Sequence, residues 1–328
     1  MTSAGRRGDD YEAFDRPGQR SSRPRTKDRP DYTDAEIGMV ITVDRGRFRV
    51  LIFDRDVTAT KARQLGRKGV IVGDRVRVVG DTSGGEGTLA RIVQVEERET
   101  VLRRTADDDD PYERPIVANA DQLVIVTALA DPPPRTGMID RILVAGYDAG
   151  IQPLLVLTKA DLAPPDGLVA QYAPLGVLVE VVSPGADLDP LRARLRAHRS
   201  VFVGHSGVGK STLVNALIPG ADRAIGAVNV VTGRGRHISS SAIALRLPDS
   251  TDSWVIDTPG VRSFGLSHVS RDRIIAAFDD LRAITENCPR GCRHDETAPE
   301  CALDTAVANG DLSPSRLESF RRMLGSGQ

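Results

Sequence analysis

The chain has 328 residues, with 44 lysines and arginines against 45 aspartates and glutamates, 40% hydrophobic residues and three cysteines. That length supports two or three domains with a sizeable core, and the near-zero net charge does not by itself announce a nucleic-acid partner. No apolar run approaches the roughly 20 residues that span a bilayer. The polar N-terminus lacks a signal-peptide core, so a cytoplasmic protein with no membrane partner is expected.

Residues 1–35 are rich in Arg, Asp, Gly, Ser and Pro and nearly devoid of apolar side chains, the composition of a disordered tail. Residues 36–98 read as β. Short alternating runs at Gly38–Val43, Arg47–Phe53, Val70–Val72, Arg75–Val79 and Thr88–Val95, separated by turns, predict five strands and an OB-type barrel. Arg45, Arg47, Arg49, Arg55, Lys61, Arg63, Arg67, Lys68, Arg75 and Arg77 make this segment basic. Small basic barrels commonly bind nucleic acid. Phe48 and Phe53 are its only aromatics, which favours contact with phosphate backbone over base stacking. Residues 99–115, with the acidic run Asp107–Asp110, read as a mobile linker.

From residue 116 to 268 strands alternate with helices: a strand at Gln122–Thr127, a helix at Met138–Ala149, strands at Leu154–Leu157 and Val177–Val182, a helix at Leu188–His198 and a strand at Ser200–Val203. This alternation predicts a parallel sheet. Gly204-His205-Ser206-Gly207-Val208-Gly209-Lys210-Ser211 then leads into the apolar-periodic Thr212–Leu217. Strand, glycine-rich turn and helix form the context of a phosphate-binding P-loop. Its backbone N–H groups and the helix dipole favour phosphate oxygens. Lys210 is expected on the β- and γ-phosphates and Ser211 on Mg²⁺. His205 occupies a position where P-loop chemistry uses backbone, so it reads as a variable exposed residue.

Candidate strands Ala242–Leu247 and Trp254–Ile256 follow, the second ending in Asp257-Thr-Pro-Gly260. Asp257 at a strand end can hold Mg²⁺ through water, and the Gly260 N–H can meet the γ-phosphate. Trp254 reads as a packing residue beside that turn. Thr158-Lys159-Ala-Asp161 also follows a strand, where ligands of parallel sheets bind. Asp161 can accept from N1–H and the 2-amino group of guanine; adenine offers neither, and a carboxylate left unpaired there discriminates strongly. The Lys159 stem can lie along the base. Ser183-Pro-Gly185 can direct backbone N–H groups to the base oxygen, or is a simple turn.

Cys288, Cys292, His294 and Cys301 supply a complete Cys₃His set for tetrahedral zinc, with no position left for a catalytic water. The site is therefore expected to be structural, stapling a segment too rich in Pro and charge to form its own core. Helices are predicted at Arg271–Ile284 and Pro314–Leu324, making residues 269–328 a small zinc-bearing helical domain.

Common GTPases run phosphate loop, switch one, D-x-x-G turn, base reader and S-A loop (G1 to G5). Here the order is G4-G5-G1-G2-G3: the same cycle entered elsewhere, a circular permutation. The barrel, the stretch Val117-Ala-Asn-Ala-Asp-Gln-Leu-Val-Ile-Val126, the permuted motifs, Gly235-Arg-His237 and the Cys/His cluster together resemble the RsgA (YjeQ/EngC) family of ribosome small-subunit-dependent GTPases. The resemblance implies a monomeric GTPase acting late in 30S maturation, using GTP/GDP, Mg²⁺ and one structural Zn²⁺. Its partners would be the 30S subunit and 16S rRNA, held through the barrel and the zinc domain. Family members usually carry Asn at Thr158; losing that amide implies lost hydrogen bonds to the P-loop and base and lower nucleotide affinity. The family's Arg-His-Thr-Thr-Thr reads Arg236-His237-Ile238-Ser239-Ser240 here, so Ser239 or Ser240 is the expected switch ligand of Mg²⁺. Val261 stands where many GTPases orient water with Gln. Intrinsic hydrolysis should then be slow, and His237, in the glycine- and arginine-rich switch segment, is the candidate to position water. Two other readings fit parts of the pattern: an RNA-binding or chaperone module stabilised by nucleotide, and an ATP-using P-loop enzyme, which Asp161 disfavours.

Overall fold

The computed structural model describes residues 32–66, 69–105, 114–221, 242–248, 250–258, 269 and 271–325. Residues 1–31 of the expected disordered tail, Arg67, Lys68, the acidic run 107–110, the switch residues His237, Ser239 and Ser240, and Gly260 and Val261 lie outside the described residues.

Strands β1 (Glu36–Asp44), β2 (Arg47–Ile52), β3 (Arg55–Lys61), β4 (Arg75–Gly80) and β5 (Ala90–Val95) follow the order β1-β2-β3-β5-β4, and β1 pairs β4 to close a five-stranded barrel. β1 to β4 bury every second residue, such as Val50 and Ile52, and β5 buries the adjacent Ile92 and Val93; the barrel's own core also holds Phe48, Val57, Val76 and Ile92. The strand count is as expected, but one identity differs. Val70–Val72 makes an isolated bridge to Val117, and the missing strand is β3. Only small or β-branched Val57 and Ala59 point inward from β3, which hides it in the hydropathy pattern.

The segment expected as a linker carries two strands, β6 (Val101–Arg104) and β7 (Arg114–Ala118), paired antiparallel. Leu102 and Val117 are fully buried there, which gives this ribbon a reason to fold onto the body.

The α/β region contributes β8 (Gln122–Ala128), β9 (Gln152–Thr158), β10 (Leu178–Val181), β11 (Arg199–Gly204), β12 (Ile243–Arg246) and β13 (Trp254–Asp257). Their order is β10-β9-β8-β11-β13-β12, parallel except for β12. Successive residues face opposite layers. Leu123 and Ile125 join one core, and Val124, Val126 and Phe202 the other. Helices α3 (Asp189–Leu195) and α4 (Lys210–Leu217) cover the second layer; α1 (Thr136–Asp148) and α2 (Asp166–Tyr172) cover the first. The sequence pattern does not announce α2.

The same first layer receives α5 (Arg271–Ala276), α6 (Asp279–Thr285), α7 (Ala302–Asn309) and α8 (Pro314–Gly325). The single helix expected over Arg271–Ile284 is broken at Ala277–Phe278, because Phe278 turns inward, fully packed, with its ring edge-on to Tyr147 and Phe320. Among the described residues no helix is long and apolar enough to cross a membrane.

Candidate nucleotide site and metal cluster

The parallel strands bring four loops to one edge of the sheet. Those after β9, β10, β11 and β13 carry Thr158–Asp161, Ser183–Gly185, Gly204–Ser211 and Asp257–Thr258 respectively, the crevice in which open α/β sheets bind ligands.

The turn after β11 needs its glycines. A Cβ on Gly204 would lie 2.5 Å from the Val126 carbonyl oxygen, so the chain can pass β8 only without a side chain. Gly209 caps α4 at φ 89°, a left-handed conformation that costs other residues. The helix then starts at Lys210, with Ser211 and Thr212 exposed on its first turn. Ser206 and Gly207 are exposed while Val208 is buried, and a His205 ring nitrogen lies 2.8 Å from the Ser206 carbonyl, within the turn. The Lys210 ammonium pairs with the Asp257 carboxylate, both side chains only about a tenth exposed at 11% and 10%. Thr258 donates from Oγ1 to the Phe202 carbonyl at 2.6 Å, fixing the Asp257 turn against the P-loop strand.

The base-reading loop is tied to the same turn. The Thr158 hydroxyl lies 2.6 Å from the Val208 carbonyl and 3.2 Å from that of Thr127; its one proton favours the shorter contact. The loss of P-loop contact expected for Thr in place of Asn is therefore corrected: the hydroxyl retains a hydrogen bond to the phosphate loop. Lys159 adopts φ 58°, uncommon for a long side chain, and its ammonium reaches the Asp131 carbonyl. Asp161 is exposed beyond it. The Ser183 loop is fastened to this one by the Val182 N–H, which donates to the Leu157 carbonyl at 2.8 Å.

With that geometry in view, comparisons with known proteins are decisive. Residues 95–267 match the model of the RsgA GTPase family. A Pseudomonas aeruginosa protein called small ribosomal subunit biogenesis GTPase RsgA is 43% identical over 253 residues, covering 74% of this chain and 73% of its own length. The chain belongs to the RsgA GTPase family. An Azotobacter vinelandii protein of the same name is 42% identical over 266 residues, 78% of this chain and 75% of that one. The fold resembles crystal structures of Thermotoga maritima YjeQ (TM-score 0.62, 24% identity, 89% of this chain and 98% of that chain) and of YloQ, described as a circularly permuted GTPase (TM-score 0.65, 24% identity, 90% and 96%). This RsgA-family chain is a GTP hydrolase with a barrel, a permuted GTPase region and a C-terminal Cys₃His cluster.

In that cluster one ligand atom each from Cys288, Cys292, His294 and Cys301 lies within 4.8 Å of the others. His294 Nδ1 is 3.6 Å from the Cys288 sulfur and 3.8 Å from that of Cys301. Tetrahedral zinc with Zn–S near 2.3 Å and Zn–N near 2.0 Å places such atoms about 3.5–3.8 Å apart, so the donor set fits zinc, with Nδ1 as the histidine donor. Burial holds His294 below the usual imidazole value, favouring the neutral ring that ligates metal. Burial also pushes the Cys301 thiol up to about 11, so a metal would have to displace its proton. Arg321 donates to the His294 carbonyl at 3.1 Å, steadying a residue held at φ 56°.

Three residues have positioning roles that the motifs do not assign, although Asn119 and Asp121 lie in the Val117–Val126 stretch. Asn119, at φ 56°, accepts from the Glu99 N–H and donates to the Gly73 carbonyl, both at 2.9 Å, and so clasps barrel, ribbon and GTPase region together. Asp121 accepts from the Arg199 N–H at 3.0 Å and sets the start of β11. Arg246 stacks on Trp254, which packs as expected. The left-handed Asn in Ala-Asn-Ala-Asp was the one available signal.

Proposed function

We propose that this sheet edge binds GTP, with its phosphates in the Gly204–Ser211 turn and guanine between Lys159–Asp161 and the Ser183 loop, and that hydrolysis serves assembly of the small ribosomal subunit. The observation that carries the reading is the Thr158–Val208 hydrogen bond, because it makes the base-reading and phosphate-binding turns one unit. Asp161 accepts from the guanine N1–H and amino group. Ser211 and Asp257 would hold Mg²⁺, which would supply charge neutralisation at the phosphates. Lys210 exchanges its contact with Asp257 for the phosphates and stabilises charge as water attacks phosphorus, giving GDP and phosphate. His237 positions that water, and Ser239 or Ser240 completes the magnesium shell. With Val261 unable to orient water, turnover is slow until a partner completes the site.

The relatives' name supports the 30S subunit as that partner, and the barrel supplies a surface for 16S rRNA. Of its cations, Arg49, Arg55 and Arg77 are neutralised by Asp56, Glu36 and Glu96. Arg45, Arg47 and Arg63 make no ion pair among the described residues and gather near one end, where Arg47 stands opposite Thr60. Phe48 is buried and Phe53 is 81% exposed, so at most one aromatic is available for stacking. The metal cluster stabilises the C-terminal segment, and the protein acts as a cytoplasmic monomer. Phosphate release from GTP, with 30S subunits and with 50S subunits as control, tests the proposal. Stimulation by 30S alone, lost in His237→Ala, is expected; equal slow release in every mixture overturns the partner.

A further inference from the structure

Among the described residues the strand pairing that continues the GTPase sheet into the barrel runs through β12, and that strand is one step from Asp257. β12 pairs β13 along its whole length, with Ile243 opposite Asp257 and Arg246 opposite Trp254. On its other side, among the described residues, it pairs the barrel at Thr42 opposite Ile243. Thr42, Ile243 and Asp257 thus form one row across three hydrogen-bonded strands, and the row continues to Phe202 on the P-loop strand. The β1–β2 register shifts between Val40 and Thr42, a bulge placed where β1 leaves its own barrel partner to meet β12.

The far end of β12 is held separately. Arg246 donates from Nη1 to Asp54 Oδ1 at 2.8 Å, and its guanidinium lies 5.0 Å over the Trp254 ring. Asp54 sits in the tight β2–β3 turn beside Phe53, which is strained at φ 54°. Between the two attachments lies a cleft of about 400 Å³ lined by Ile41, Arg49, Leu51, Leu245 and Trp254 among others. Ile41 and Leu51 touch the main core at its rim, and a gap remains between the two attachments of β12. A strand held so can follow the barrel, and backbone hydrogen bonds oblige Asp257 to follow the strand.

We propose that the Asp54–Arg246 pair is a positioning contact by which the barrel sets β12 and, through the Ile243–Asp257 register, the carboxylate that serves magnesium. The inference rests on the magnesium role of Asp257 given above. It gives partner binding on the barrel a direct route to the nucleotide site.

The test measures the Kd of a fluorescent GDP with magnesium and with EDTA, for the full chain and for Asp54→Asn, Arg246→Gln and the exchanged pair Asp54→Arg with Arg246→Asp. Each single variant is expected to reduce the magnesium-dependent gain in affinity by about threefold at most, the scale of an ion pair whose carboxylate is exposed, while the EDTA value stays. The exchanged pair restores the gain. Trp254, the only tryptophan, reports the same rearrangement by its emission. A merely structural role would lower both affinities together. An unchanged magnesium gain in both single variants overturns the proposal. With 30S subunits, Asp54→Asn should bind as well as the parent, since it removes a negative charge, yet turn over about threefold more slowly. If the parent itself is not stimulated, the 30S reading fails while the magnesium ratio still decides the coupling.

Discussion

The barrel and the C-terminal segment are attached to the same sheet in opposite ways. The barrel keeps a core of its own, and among the described residues only Val72 and the half-buried Met39, Ile41, Val43 and Leu51 reach the main core. The C-terminal segment has no separate core. Ile274, Phe278, Leu281, Cys301, Leu303, Phe320 and Met323 lie in one cluster with Leu123, Ile125, Ile142 and Leu143 of the GTPase region. Polar contacts follow suit: Arg316, braced by Asp280 of its own segment, donates to the Pro174 carbonyl, and Arg322 reaches the buried Asp140 of α1 at 3.2 Å. A segment fused by its core shares the stability of its host; one pinned at its edge can move and report. The metal-bearing segment is thus an extension of the GTPase region, whereas the barrel keeps a core of its own.

The strongest attempt to break this comparison removes the metal. Structural zinc holds about 10–16 kcal/mol in small fingers, where it is the fold's main support. Here Cys301 is itself a core residue, so Cys301→Ser should abolish stoichiometric zinc by atomic emission and destabilise the main transition by several kcal/mol, leaving the barrel's transition in place by calorimetry. Loss of both transitions together would mean the barrel is not separable. Next comes Phe320→Ala. The ring is fully buried against Phe278, and its loss should cost about 3–5 kcal/mol in the main transition. The converse is Ile52→Ala, fully buried in the barrel: it should cost about 2–5 kcal/mol in the barrel transition alone.

That fusion is the part the sequence hid. Motifs name chemistry because a P-loop or a Cys₃His set needs fixed residue types at fixed spacing, and Gly204–Ser211 and Cys288–Cys301 lie together in space as that spacing implies. Periodicity tells which residues turn inward, not which partner receives them. Leu317, Phe320 and Leu324 read correctly as one face of a helix, yet nothing in their spacing says that α1 lies beneath. Short α7, rich in alanine, gives too little contrast to be seen, and the break at Phe278 comes from tertiary packing against Tyr147 rather than from a local stop signal. Thr158 is instructive in the other direction. Its type argued for a lost contact, and only the position of Val208 shows the contact kept.

Thr158 therefore gives a sharper, smaller test on the GTPase side of the comparison. Thr158→Val keeps the shape and removes the hydroxyl, leaving the Val208 carbonyl without that donor. A buried group stripped of its partner costs about 1–3 kcal/mol, so the main unfolding transition should fall by that amount, and GDP should bind more weakly because the two turns are no longer tied. Unaltered affinity would show that the two turns need no direct tie.

The smallest effects are titrations, one on each side. Hydrogen bonds from the Thr82 hydroxyl and then Arg55 hold Glu36 of the barrel below the usual carboxylate range; Arg321, donating twice at 2.8 Å, does the same to Asp304 in α7. A carboxylate whose native pKa is depressed stabilises the fold at pH above its unfolded value, and that stability is lost as pH falls through the native one. Both sites are partly exposed, at 35% and 49%, so solvent limits each to less than about 1 kcal/mol. Acidification from about pH 6 to pH 3 should then destabilise both transitions. Glu36→Gln should flatten the pH response of the barrel transition only, and Asp304→Asn that of the main transition only. If either substitution flattens both, the barrel and the sheet unfold as one body, and the contacts at β12 and at Asn119 suffice to couple what two cores keep apart.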